Sequence, residues 1–308
     1  MAAIRLGLVG IGKIARDQHV PAIRADSRFQ LVATASRSPD QLPDVPAYSS
    51  IEALIAGGHD LQAVSLATPP QGRHALAAAA IDAGLHVMLE KPPATTLSEV
   101  EDLAQRARAK GVVLYTSWHS RAAAGVEPAR AWLSDKRVTA LRITWKEDIR
   151  RWHPGQEWIL GPGGFGVFDP GINALSIATA ILPRALFVEA ATLRVPENRD
   201  APIAASLAMR TGGAAGTFEL DFLQTGPQSW DVEVDTDAGT LRLREGGSKL
   251  ELPGQPPRAE PNREYPGLYA HFAELIAAGR PEVDVRPLRL VADAMLVAAH
   301  ERVEPFSF

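Results

Sequence analysis

No cysteine occurs among the 308 residues. A disulfide framework, a thiolate metal site and a cysteine nucleophile are thereby excluded, and the composition suits a reducing compartment, with the cytoplasm as the default. A basic excess is missing too. The 32 Lys and Arg against 36 Asp and Glu leave a net charge of -4 and a pI near 6.1, so neither a nucleic acid nor an anionic membrane meets the cationic surface it needs. No apolar run approaches the roughly 20 residues of a spanning helix. Residues 75–81 are Ala-rich and short, and Met1-Ala2-Ala3-Ile4-Arg5 leads straight into a strand instead of an export signal. What is there is 46% hydrophobic and 22% charged, a globular, soluble composition long enough for a large core and two domains.

In the first part of the chain, short apolar runs alternate with Ala-rich helical stretches, the grammar of an α/β Rossmann domain with a parallel sheet. Strands are expected at 4–9, 30–36, 63–67, 86–90 and 112–117. Ser49 with Glu52 and Thr96 with Glu99 fit capping boxes, and Gly84 and Gly111 stand where helices would end. After a helix at 123–133, strand-like runs follow one another at 139–147, 186–194, 203–209, 215–222, 230–236 and 240–243, interrupted by a helix at 170–182. This predicts residues 1–121 as a Rossmann domain. Residues 122–308 follow as an α+β substrate-binding domain with a large open, mostly antiparallel sheet, whose bare face offers a surface for a homodimer. Beyond a Pro- and Gly-rich loop at 253–266, segments 269–278 and 287–303 have helical spacing and pack against one domain or the other.

Gly10-Ile11-Gly12-Lys13-Ile14-Ala15 follows the first strand and opens the helix toward His19 and Ile23. Gly10 permits a tight turn, Gly12 lets a pyrophosphate approach the backbone, and Ala15 allows close helix–strand packing at the positive helix end. Alone the pattern is also that of a plain glycine turn; its place between a first strand and a second one about 20 residues on favours a dinucleotide. The second strand ends Ala35-Ser36-Arg37-Ser38, with no acid before Asp40 to hold adenosine ribose hydroxyls. Ser36 can donate to a 2′-phosphate and Arg37 can pair with it, so NADP is expected ahead of NAD, against the alternative of an ordinary surface arginine.

Glu90-Lys91-Pro92-Pro93 ends another strand and sets Lys91 at the carboxyl edge of the sheet, where doubly wound folds bind ligands. An ammonium there can stabilise an alkoxide or relay its proton. In Gly163-Gly164-Phe165-Gly166-Val167-Phe168-Asp169-Pro170-Gly171-Ile172-Asn173, Pro170 suits a first helical turn. Asp169 is then expected as the N-cap, with Asn173 one turn later on the same face. A capping Asp and a polar surface Asn are the plain alternative; the glycines, by letting a ligand approach, favour a site.

The motifs Gly10-x-Gly12-x-x-Ala15, Glu90-Lys91-Pro92 and Gly163-Gly164 with Asp169-Pro170-Gly171 together resemble the glucose–fructose oxidoreductase and inositol dehydrogenase (Gfo/Idh/MocA) family over essentially the whole chain. That family usually has a histidine where Asn173 stands. Residues 10–19, 145–148, 151–156, 168–176 and 284–294 are similar to its branch that oxidises L-arabinose, and also D-galactose, at C1, and this branch carries the Asn. The resemblance implies a catalytic cluster of Lys91, Asp169 and Asn173. Glu147 and His153 would support it, with His119, Trp152 and Trp230 lining the sugar pocket. Dinucleotide contacts are expected from Gly10, Ile11, Gly12, Lys13, Ile14, Ser36, Arg37, Thr68, Pro69, Glu90 and Lys91.

The implied roles are chemically coherent. An aldopyranose has apolar C–H faces for tryptophans and a hydroxyl rim for His119, His153 and Asn173, although Trp230 is equally readable as a half-buried sheet aromatic. The expected reaction is NAD(P)-dependent oxidation of L-arabinose, and of D-galactose, at C1 to the aldonolactone, with Asp169 taking the hydroxyl proton, Lys91 stabilising the alkoxide and Asn173 fixing the hydroxyl, or with the roles of Asp169 and Lys91 exchanged. A D-galactose 1-dehydrogenase, another aldose or inositol dehydrogenase, and a non-catalytic sugar and NADP sensor are the alternatives. His19, His74 and His86 are read as structural or phosphate-side residues. No ligand spacing suggests a metal.

Overall fold

The computed structural model describes residues 2–37, 41–261 and 263–308; Ser38 and Asp40, which enter the 2′-phosphate argument, lie outside them. The chain divides into two compact units, Met1–His119 with Glu264–Val285 and Ser120–Arg263 with Arg286–Phe308.

The first unit opens with β1 (Ile4–Val9), β2 (Phe29–Ala35), β3 (Ala47–Tyr48), β4 (Ala63–Leu66), β5 (His86–Leu89) and β6 (Leu114–Thr116), which form one parallel sheet in the order β3-β2-β1-β4-β5-β6. The order reverses between β1 and β4, so the loops leaving those two strands diverge and open the ligand crevice of a doubly wound sheet. Before α1 (Val20–Ala25), residues Ala15–His19 take a π-helical turn in which Val20 N donates to Ala15 O. Pro21 has no N–H for the ordinary ladder, which accounts for the local shift. Helices α2 (Ile51–Ala56), α3 (Arg73–Asp82) and α4 (Leu97–Lys110) follow. The Thr96 and Glu99 capping box forms as expected, whereas α2 is capped one residue later than expected, by Ser50, which accepts from Ala53 N at 3.2 Å. Glu52 then falls too early in the helix to return the bond.

The second unit starts with α5 (Val126–Leu133), β7 (Val138–Lys146), the single turn α6 (Ile149–Trp152) and α7 (Phe168–Ile181), and continues with β8 (Leu186–Pro196), β9 (Ala204–Thr211), β10 (Ala214–Asp221), β11 (Ser229–Thr236), β12 (Gly239–Arg244), β13 (Lys249–Glu251) and β14 (Arg258–Ala259). The chain returns to the first unit for α8 (Glu264–Ala278), then to the second for α9 (Arg286–Val297) and β15 (Ala298–Val303). The nine strands order as β14-β13-β12-β11-β7-β10-β9-β8-β15, antiparallel except β7 with β10 and β8 with β15. Alternation sets the faces. Leu141, Ile143, Phe218, Leu220, Val232 and Val234 are buried, while Arg142, Glu233, Asp235 and Arg244 form ion pairs on the other face.

Two expectations at the C-terminal end need correction. The helix expected over 287–303 stops at Val297, and Ala298–Val303 instead pairs parallel with β8. Helical spacing yields there to an edge strand with open hydrogen-bonding groups. The loop expected to run to 266 ends earlier, because α8 begins at Glu264. Its Tyr265, Leu268, Tyr269 and Phe272 pack with Leu6, Leu8, Met88 and Tyr115 on one side of the first sheet.

Candidate active site

At the end of β1, Gly10 has φ +89°, and a Cβ there would stand 2.8 Å from Thr68 N. A side chain at Gly12 would meet nothing within 4 Å, so a ligand can come against this backbone. Thr68 Oγ1, beside the turn, is buried with no hydrogen-bond partner among the described residues. An open backbone cradle with an orphaned hydroxyl at a helix start fits a dinucleotide pyrophosphate. Around it, Ile11 is buried in the core, which leaves only its backbone for contact, while Ile14 is exposed and Lys13 pairs with Asp17. Ser36 N donates to Tyr48 O at 2.9 Å, and Arg37 and Pro69 are exposed.

Lys91 follows β5 and is half-buried. The Arg73 guanidinium, 2% exposed, donates to the carbonyls of Thr68, Glu90 and Pro92 and so braces the chain on both sides of the lysine. Burial alone would raise the Glu90 carboxyl, but its hydrogen bond with His19 and the charges of His19, His119 and Lys91 hold it well below the usual carboxylate range. His119 Nδ1 lies 3.2 Å from Glu264 Oε2, and its ring stacks on Tyr265 at 5.3 Å. Burial opposes protonation of His119; Glu264 and Glu90 outweigh it and the Lys91 charge, raising the imidazole above 6.5. His74 binds Asp102 at 2.7 Å and His86 Nδ1 accepts from Val113 N at 2.9 Å, both structural uses.

In the second unit, Asp169 and Asn173 share the first turns of α7 and are only 4% and 9% exposed. The helix begins at Phe168 after Val167, so Asp169 is inside it and makes no cap bond, contrary to expectation. Val167 N donates to Pro202 O at 2.7 Å and Phe168 N to Phe165 O at 3.1 Å, so the opening N–H groups are satisfied by backbone and need no side-chain cap. Asn173 Oδ1 is buried without a hydrogen-bond partner among the described residues. The surface-Asn alternative therefore fails, and the buried amide oxygen has an accepting capacity that a bound hydroxyl or water could use. The chain itself also requires two of the preceding glycines. A Cβ on Gly164 would be 2.2 Å from Ile159 O, and one on Gly166 2.2 Å from Pro202 O, so the chain's own backbone requires them.

Glu147, at the end of β7, is 5% exposed. Its Oε2 accepts from Trp230 Nε1 at 2.8 Å and its Oε1 is 2.9 Å from His153 Nε2. Both oxygens are thus engaged in orienting an indole and an imidazole. Trp152, 38% exposed, meets Trp230 edge to face at 5.1 Å and donates to Gln228 Oε1 at 3.2 Å. Trp152 and His153 lie on and just after α6, which Asp148 caps. Gln228 also accepts from Asp148 N at 2.6 Å. Nothing in its sequence setting marks it, and the same is true of Arg73, which sits among alanines. Among the described residues no cluster of three or more His, Asp or Glu could hold a metal ion, and no helix is long and apolar enough to cross a membrane.

Residues 4–117 match the model of the Gfo/Idh/MocA oxidoreductase family, NAD-binding Rossmann fold. The chain is 45% identical over 307 residues to a galactose 1-dehydrogenase of Pseudomonas fluorescens, covering 99% of each chain. A crystal structure of a D-galactose-1-dehydrogenase protein from Rhizobium etli is 51% identical with a TM-score of 0.95, covering 100% of this chain and 99% of that one. A 3-ketoreductase from Actinomadura kijaniata, solved with NADP and TDP-benzene, has a TM-score of 0.84 at 19% identity over 99% of this chain and 100% of its own, a likeness of fold alone. The chain belongs to the Gfo/Idh/MocA oxidoreductases, and its first unit is that family's NAD-binding Rossmann domain.

Proposed function

We propose that this protein oxidises D-galactose at C1 to the galactonolactone, with NADP as the preferred hydride acceptor, and that it also accepts L-arabinose. The observation that carries the substrate is the full-length similarity to galactose 1-dehydrogenase. It reverses the order expected from sequence, in which L-arabinose stood first. The two sugars share their C2–C4 stereochemistry and differ by the hydroxymethyl at C5, so a pocket with room for the larger one accepts the smaller at a modest loss.

When bound, the nicotinamide supplies the hydride acceptor at C4. In this reading the C1 hydroxyl gives its proton to Asp169 and Lys91 stabilises the alkoxide, or the two roles are exchanged. Asn173, with its free buried Oδ1, accepts a hydrogen bond from a sugar hydroxyl and fixes the ring. Trp152 and Trp230 cover an apolar face of the pyranose, and His119 and His153 bond its rim. The Asp169→Ala enzyme is expected to lose about 10²- to 10⁴-fold in kcat with a much smaller rise in KM. Steady-state kinetics on D-galactose checks this, and unchanged turnover would refute the assignment.

A further inference from the structure

Behind Lys91 lies a chain of buried polar side chains that the proposed reaction leaves without a task. Glu90 is 4% exposed and His19 fully buried. Glu90 Oε1 accepts the Tyr265 hydroxyl at 2.5 Å and stands 3.4 Å from His19 Nε2, while Oε2 accepts the backbone N–H of Lys91 itself. His19 Nδ1 is 2.7 Å from the Tyr269 hydroxyl, which donates in turn to Ser65 Oγ at 3.1 Å. The network therefore joins three elements: the π-turn that follows the dinucleotide loop, the end of β5, and α8. Burial and the Glu90 charge push the Tyr265 hydroxyl well above its ordinary 10.0, so it remains a donor.

A carboxylate removed from water is tolerated only when its oxygens are satisfied and a positive charge is near. Here both oxygens face inward to named partners, one of them the peptide N–H of the lysine. We propose that Glu90, held by Tyr265 and His19, is a positioning residue that fixes the peptide and the electrostatic field of Lys91, and is not itself a contact to the dinucleotide. This rests on the reading that Lys91 serves the oxidation of the sugar.

The test uses the full chain, three single variants and one double variant, each measured for kcat and KM on D-galactose and for the Kd of NADPH by fluorescence titration. Glu90→Gln keeps the shape and removes the charge. Its kcat is expected to fall about 10²-fold, in the range of a lost acid–base contribution, with NADPH Kd and sugar KM within about 3-fold of the parent. Tyr265→Phe removes one hydroxyl at nearly constant volume. Alone it should lower kcat about 3- to 10-fold, and in the Glu90→Gln background it should add nothing, because both act through one carboxylate. A Glu90→Gln enzyme of unchanged kcat, or one whose NADPH affinity falls in step with kcat, overturns the proposal. If Glu90→Gln does not fold, Tyr265→Phe decides alone: lower kcat at unchanged NADPH Kd supports the role, and unchanged kcat overturns it. Lys91→Met separates the two readings. Its full activity would remove the reaction role and the positioning role together, whereas an inactive Lys91→Met beside a fully active Glu90→Gln removes only the latter.

Discussion

Single residues in this protein differ less in type than in how fully their polar atoms are already used. Glu147 has both oxygens engaged by Trp230 and His153, so it orients that indole and imidazole. Asn173 keeps a buried oxygen free, and that oxygen is the better candidate for a direct sugar contact. Arg37 is the opposite case, exposed at the end of β2. If it pairs with a 2′-phosphate, the charge-assisted bond is worth about 1.5–3 kcal/mol, or roughly 10- to 100-fold in affinity. Arg37→Ala should therefore raise the KM for NADP by that factor and leave the KM for NAD nearly unchanged. Parallel cofactor titrations measure both. The pairing of Asp169 with Asn173 is legible in sequence from helical spacing and Pro170. Their burial is not, because it depends on how α7 is seated in the fold.

Local signals place most elements of the chain. Where a signal misleads, the cause is either a neighbouring residue or a partner distant in sequence. The Rossmann strands are visible as apolar runs because parallel strands are buried on both faces. The start of α8 is hidden by the prolines before it, and β15 reads as helix because its need to pair with β8 is a tertiary demand. The glycines before α7 are legible as a motif, yet the close approach of Ile159 and Pro202 that requires Gly164 and Gly166 is not. Gly164→Ala forces a Cβ to within 2.2 Å of Ile159 O, a backbone atom that cannot swing aside. Strain of this kind costs about 1–3 kcal/mol or more. The variant should melt several degrees lower, and because α7 carries Asp169, kcat should fall even at temperatures where it stays folded. A variant with the parent's melting temperature would contradict the packing argument.

For the molecule as a whole, the buried ionisable groups of the first unit set opposite pH limits. Glu90 is held below its ordinary value of 4.5, so its contribution to stability is fully present above that value and is lost as pH falls through the lower folded value. His119 is held above its ordinary 6.5, so its contribution is present below 6.5 and is lost as pH rises through the folded value. The melting-temperature gap between the parent and Glu90→Gln should therefore narrow on acidification below about 4.5, and the gap to His119→Gln should narrow on the alkaline side. Thermal melts across the pH range check both signs. At this scale the proposed reaction makes one demand on the substrate, a pyranose presenting a C1 hydroxyl. The most direct test is the relative kcat/KM for D-galactose, L-arabinose and D-glucose, each with NADP and with NAD, together with identification of the product. The expected result is D-galactose first, L-arabinose within about 10²-fold, little turnover of the C4 epimer D-glucose, NADP ahead of NAD, and a lactone as product. Absence of turnover on D-galactose with either cofactor, or a product oxidised at a carbon other than C1, would contradict the account.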